Sequence, residues 1–207
     1  MTDLTYQQFP NSEQNRSDLT ALKRILKTAP QDLWLDTARR ATSKMHNPLI
    51  HWMLAQPECD FSVAVHAFYR SNPVLRIGQG RPLPPRPDHT EIFAQTLLNW
   101  DKGFYRNHAI AVGPEDITSR ATKRIRQKLM AWPKGALPFK VPSRFLSPSG
   151  GAPIDLPAHL NPNDAAHLWP LYNRLGLRVP AAAPGLPRRL ARAKDLLDLV
   201  SFRTRRA

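Results

Sequence analysis

The sequence predicts an all-α protein: a compact multi-helix domain that continues into a proline-rich extended arm and a basic C-terminal helix. Three observations carry this expectation. Apolar side chains recur at three- and four-residue spacing from Leu19 to Trp132, the period of one helix face. Most of these runs follow a capping residue or a proline suited to a first helical turn. Beyond Trp132 the prolines crowd, with seven between Pro133 and Pro162 counting both ends, which excludes regular helix and central strand there. A chain of 207 residues buries roughly 70 % of its unfolded surface, enough for one main domain.

Residues 1–16 are polar and aperiodic, broken by Pro10, Asn11 and Ser12, and are expected as a disordered leader. Ser17 or Asp18 can cap a first helix through Leu19, Leu22, Ile25 and Leu26, which ends before Pro30. A second places Leu33, Trp34, Ala38 and Ala41 on one face, with Arg39, Arg40 and Lys44 near its negative dipole end. Asn47 and Pro48 open a third, apolar nearly all round, through Leu49, Ile50, Trp52, Met53 and Leu54; so little polar face places it near the core centre. Asp60 caps a fourth with Phe61, Val63, Val65, Phe68 and Tyr69, which outruns the usual length of a strand.

Pro82, Pro84, Pro85 and Pro87 form a linker, after which Asp88 opens a fifth helix with Ile92, Phe93, Leu97, Leu98 and Trp100, stopping at Lys102-Gly103. The sixth starts at Gly113-Pro114-Glu115-Asp116, its acids in the first turn, and lines up Ile117, Ala121, Ile125, Leu129 and Trp132. A short helix is expected over Asn163 to Leu175, with Ala165, Ala166, Leu168, Trp169 and Leu171 inward and Pro170 kinking or ending it. Leu190, Leu196, Leu197, Leu199 and Val200 mark the last. The expected division is therefore a leader at 1–16, a helical core at 17–132, an arm at 133–187 and a basic helix with its tail at 188–207.

One stretch carries a resemblance. Pro48-Leu49-Ile50-His51-Trp52, then Gln56-Pro57-Glu58-Cys59-Asp60, then Ala64, Ala67, Phe68, Tyr69 and Arg70 resemble the bacterial domain-of-unknown-function family 4274, over about residues 30–70. The resemblance implies a small helical domain and carries over no functional residue. Read physically, Pro57 ends one helix, Asp60 caps the next, and Cys59 fills a small apolar space between them.

Cys59 is the only cysteine, which excludes an intrachain disulfide and suits a reducing, cytoplasmic compartment. The N-terminal residues lack the apolar run of a signal peptide, and no apolar stretch approaches the roughly 20 residues of a membrane span. Cys59 with His66 or His51 is the one conceivable nucleophile and base, so a cysteine-dependent enzyme stands as the remote alternative. The histidines at 46, 51, 66, 89, 108, 159 and 167 form no metal-ligand spacing, so neither metal nor other cofactor is expected. Gly78-Gln79-Gly80 reads as a turn, and Glu115 with Asp116 as dipole partners of a helix.

The charge is more informative. The net charge is +14, yet residues 1–60 hold seven basic and seven acidic side chains, so all the excess lies beyond Asp60. It concentrates at 102–144, with ten basic and two acidic residues, and at 174–207, with nine and two. The candidate polyanion-binding residues are Arg120, Lys123, Arg124, Arg126 and Lys128, with Arg188, Arg189, Arg192, Arg203, Arg205 and Arg206. The function expected is a non-catalytic binding protein that presents a cationic helical surface to nucleic acid or to an acidic protein. The alternative is an interaction module whose proline-rich arm docks as an extended ligand. A charge run also serves solubility alone, so the placement of these residues in space decides.

Overall fold

In the computed structural model, residues 12–148, 150–154, 156 and 162–177 are described. They form nine α-helices and no strand among the described residues: α1 Ser12–Thr28, α2 Gln31–Arg40, α3 Asn47–Leu54, α4 Phe61–Arg70, α5 Pro73–Gln79, α6 Ile92–Asp101, α7 Ser119–Met130, α8 Ser143–Leu146 and α9 Pro162–Arg174. A short 3₁₀ turn at Lys44–His46 precedes α3.

The centre is built from α2, α3, α4 and α6. Phe61, Val63, Ala64, Val65, Ala67 and Phe68 of α4 are all buried, since this helix has neighbours on several sides and so needs little polar face. Around it lies an aromatic cluster in which Phe68 meets Phe93 and Phe145, and Phe61 meets Trp100 and Phe145, with ring centroids 5.1 to 5.6 Å apart, a spacing that adds to plain area burial. As the apolar pattern of α3 implies, Leu49, Ile50, Met53 and Leu54 are buried. Side chains from α6 and the segment after it serve its C-terminal carbonyls, which a helix leaves without partners. Asn99 Nδ2 and the Tyr105 hydroxyl both donate to the Leu54 carbonyl, at 2.8 and 2.9 Å.

Asp60 caps α4 as its sequence position suggests, accepting from the Ser62 amide at 2.8 Å. Its second oxygen accepts from the Ala109 amide at 2.9 Å, so one carboxylate both starts the helix and ties down the segment after α6. Cys59 beside it is fully buried; burial, then the neighbouring Asp60 and Glu58 charges, push its thiol well above the usual range. A thiol so placed fills space and is held away from the reactive thiolate form.

Several expectations are corrected. The first helix starts at Ser12, not near Ser17, because residues 12–16 extend the same helix; Asp18 lies inside it, bound by Arg174 at 2.9 Å. Between α4 and the proline-rich linker lies α5, which the sequence reading passed over. Asn72 takes the left-handed conformation at φ 57 that lets the chain turn between α4 and α5. Gly78 and Gln79 are helical, and only Gly80 is a turn residue, at φ 59. Asp88 does not open α6; it accepts from Thr90 in a separate turn, and α6 starts at Ile92. Glu115 and Asp116 precede α7, which begins at Ser119 after the Thr118 cap.

The described residues of 133–154, the first part of the expected arm, pack on the core. Phe145 is fully buried, Phe139, Val141 and Ile154 pack against the core, and Ile110 bridges Ala152. Burial of these rings outweighs what the prolines forbid, because prolines block regular pairing and leave packing free. Helix α9 runs through Pro170, with Leu168, Leu171 and Tyr172 buried and Ala166 exposed; Ala165 has no described side chain. Its docking side chains explain why the proline does not end it. The Tyr172 hydroxyl bonds Thr37 of α2, Arg174 bonds Asp18 of α1, and the Arg40 guanidinium lies 5.0 Å from the Trp169 ring. The expected helix at 188–207 lies outside the described residues.

Candidate polyanion interface

Helix α7 reads SRATKRIRQKLM, and at 100° per residue its side chains sort sharply. Ala121, Thr122, Ile125 and Leu129 fall on one face, and Ile125 is the helix's only buried residue. Arg120, Lys123, Arg124, Arg126 and Lys128 are all exposed. Lys123, Arg120 and Arg124 lie within about 100° of one another around the axis, so these three share a face. Arg126 and Lys128 flank it on either side. None of the five is ion-paired with a carboxylate among the described residues.

Four contacts hold this helix. Thr118 accepts from the Ala121 amide at 3.2 Å, serving one of the first-turn amides. Thr122 meets the hydroxyl of Tyr69 on α4 at 3.1 Å. At the far end Trp132 Nε1 donates to the Ile77 carbonyl of α5 at 3.0 Å, and its ring lies where a Cβ on Gly80 would be. Glycine is needed there twice over, for that close approach and for its positive φ. Arg126 donates to the Leu146 carbonyl at 3.1 Å and to Ser147 Oγ at 2.7 Å, which seats α8 beside α7.

The loop before α7 is anchored by Asp116, whose side chain is fully buried. It accepts from Arg39 Nε at 2.9 Å and Nη2 at 2.6 Å, meets His66 Nδ1 at 2.9 Å, and accepts from the Gly113 amide at 3.0 Å. Glu115 adds a contact to Arg39 at 2.8 Å. Burial alone would raise the Asp116 carboxyl, but the hydrogen bonds and charges of His66 and Arg39 outweigh it and hold it below the ordinary value. The acids read as dipole partners of α7 therefore serve α2 and α4 instead.

An open groove of about 530 Å³ runs along α7, lined by Ile117, Ser119, Thr122, Lys123, Arg126, Gln127, Met130 and Leu146. Met130 is 84 % exposed, the most exposed large apolar side chain among the described residues.

Of the residues singled out from sequence, the five on α7 form one solvent-facing surface; Arg188, Arg189, Arg192, Arg203, Arg205 and Arg206 lie outside the described residues. Reading the sequence missed Asp116, Arg39 and His66 as a unit, since they sit 77 and 50 positions apart and share no local signal. It also missed the groove, although Met130 fell at the end of an otherwise polar stripe. His66 bonds Asp116, His51 meets the Pro87 carbonyl at 3.1 Å, and Cys59 is fully buried. Among the described residues no three His, Cys, Asp or Glu side chains converge to hold a metal, and no helix is long and apolar enough to cross a membrane. Compared with protein-family models, with curated proteins and with solved structures, the chain has no significant match.

Proposed function

We propose that this is a binding protein that engages a polyanion, nucleic acid or acidic protein, through the outward surface of α7. The observation that carries the reading is the contrast in partnership. Arg39, Arg40 and Arg174 each hold a carboxylate, whereas the five cations of α7 are exposed on a helix fixed at both ends. A cation left without an internal carboxylate, on a surface that cannot collapse to find one, is available to an external anion.

Titration of labelled duplex DNA and labelled poly-glutamate at 50 and 200 mM salt tests this. Five phosphate contacts predict a loss of duplex affinity of roughly 500-fold between those salt concentrations. Replacing Arg120, Lys123 and Arg124 together by Ala is expected to abolish most of the binding without unfolding the protein. No binding of either polymer at 50 mM would overturn the proposal. The reading in which segment 133–187 docks as an extended ligand loses residues 133–154, whose aromatic side chains are used on the core.

A further inference from the structure

Helix α7 offers more than charge. Ser119, Lys123, Gln127 and Met130 follow one another at helical spacing, so the groove runs along the helix for roughly 16 Å at 1.5 Å per residue. Its apolar parts are Ile117 at one end, Met130 at the other and Leu146 across from them, and its cations are Lys123 and Arg126. Arg126 also bonds the Leu146 carbonyl and Ser147, so the α8 wall and one cation are fixed as a unit.

We infer that this groove seats an acidic amphipathic helix of a partner protein, with apolar side chains of the partner against Ile117, Met130 and Leu146 and its carboxylates against Lys123 and Arg126. The inference rests on the polyanion reading above and names which polyanion the groove itself takes.

Three features favour this occupant. The groove pairs apolar surface with cations, which matches a ligand carrying both apolar and acidic groups rather than charge alone. A helix brings its own satisfied backbone, whereas an extended peptide would need amide and carbonyl partners that the internally bonded α7 does not offer. Single-stranded nucleic acid is read on aromatic platforms; no aromatic side chain lines the groove, and the nearby Trp132 and Phe139 pack on the core. The chain's own terminus is a poor occupant because 174–207 carries nine basic and two acidic residues and is repelled by the same cations. Met130, unbranched and polarizable, adapts to an apolar side chain of varied shape.

The test uses the full chain and a labelled synthetic Glu-rich helical peptide bearing Leu at positions i, i+3, i+4 and i+7. Its companions are the same peptide with Ala for each Leu, poly-glutamate and single-stranded DNA. The Leu peptide is expected to bind at least tenfold more tightly than the Ala peptide. Met130→Ala, at a side chain too exposed to disturb folding, should lower that affinity roughly tenfold, the value of one apolar side chain moved out of water, and leave poly-glutamate binding unchanged. Equal binding of the Leu and Ala peptides would overturn the groove inference while the polyanion reading stands. Tighter, Met130-dependent binding of single-stranded DNA would overturn it in favour of a nucleic acid. No binding of any of these probes, nor of duplex DNA, at 50 mM salt would remove both readings together.

Discussion

Two dibasic pairs, Arg39-Arg40 in α2 and Lys123-Arg124 in α7, look alike in the sequence and meet opposite fates. In α2 both guanidiniums are turned inward: Arg39 grips Asp116 and Glu115, and Arg40 bonds Asp36 at 2.6 Å while lying against Trp169 and Tyr172. In α7 both side chains are exposed, with no carboxylate partner among the described residues. The first pair is spent on holding elements together, where removing one partner strands a charge away from water. The second contributes little to folding and is free to act outward. A run of cations therefore says nothing about binding until the carboxylates around it have been placed.

The comparison can be broken most forcefully at Asp116. Asp116→Ala leaves Arg39 and His66 without their shared acceptor and is expected to destabilise by about 3 kcal/mol, read as a lowered urea midpoint. A loss no greater than that of a surface carboxylate would mean that the inward pair is as idle as the outward one. Asp60→Ala probes a buried carboxylate with no cation, only amide and hydroxyl donors. It is expected to cost about 2 kcal/mol through the lost cap, which strands the buried Ser62 amide and hydroxyl, and the lost tie to the Ala109 amide, with α4 and the 104–109 segment loosening together in hydrogen exchange.

A smaller effect concerns pH. His46 Nδ1 accepts from the Ser43 amide at 3.3 Å, and Nε2 lies 2.7 Å from the Leu175 carbonyl, an arrangement that suits the neutral ring donating through Nε2. Burial, and secondarily the charge of Arg70, lowers its pKa, against the opposing pull of the Leu175 carbonyl. A folded pKa below the unfolded one means that the unfolded chain takes up the proton first, so stability is full above about pH 6.5 and falls as pH drops through that value. The Asp116 carboxyl, also held low, adds a further loss only below about pH 4. His46→Gln should flatten the fall in urea midpoint between pH 7.5 and 5.5; an unchanged slope would show that another group governs it. Last, the Lys123→Ala, Arg124→Ala double variant should leave the urea midpoint unmoved at neutral pH, while the same pair of changes at 39 and 40 lowers it.

How much of this was legible follows a physical line. The caps, periods and prolines of α2, α3, α4 and α6 act over three or four residues, so Asp60 as a cap and the buried face of α3 could be read directly. Helix α5 was passed over because its seven residues are too short for a period to register between Pro73 and Gly80. Pro170 does not end α9, because its local cost is met by the contacts of Tyr172 with Thr37 and of Arg174 with Asp18, 135 and 156 positions away. In the candidate site, the cations of α7 were readable as residue types. Their exposure, and the groove beside them, were not.

Taken alone, the sequence determined the helical class, the central place of the α3 segment and the excess of cations beyond Asp60, since each follows from composition or from spacing within one turn. Only the tertiary structure decided which cations are spent and which remain outward, that the stretch after Trp132 packs down on the core through Phe145, and that Leu146 and Met130 frame a groove. Those outcomes depend on which distant carboxylates, carbonyls and rings arrive beside a given side chain, and local periodicity holds no record of that.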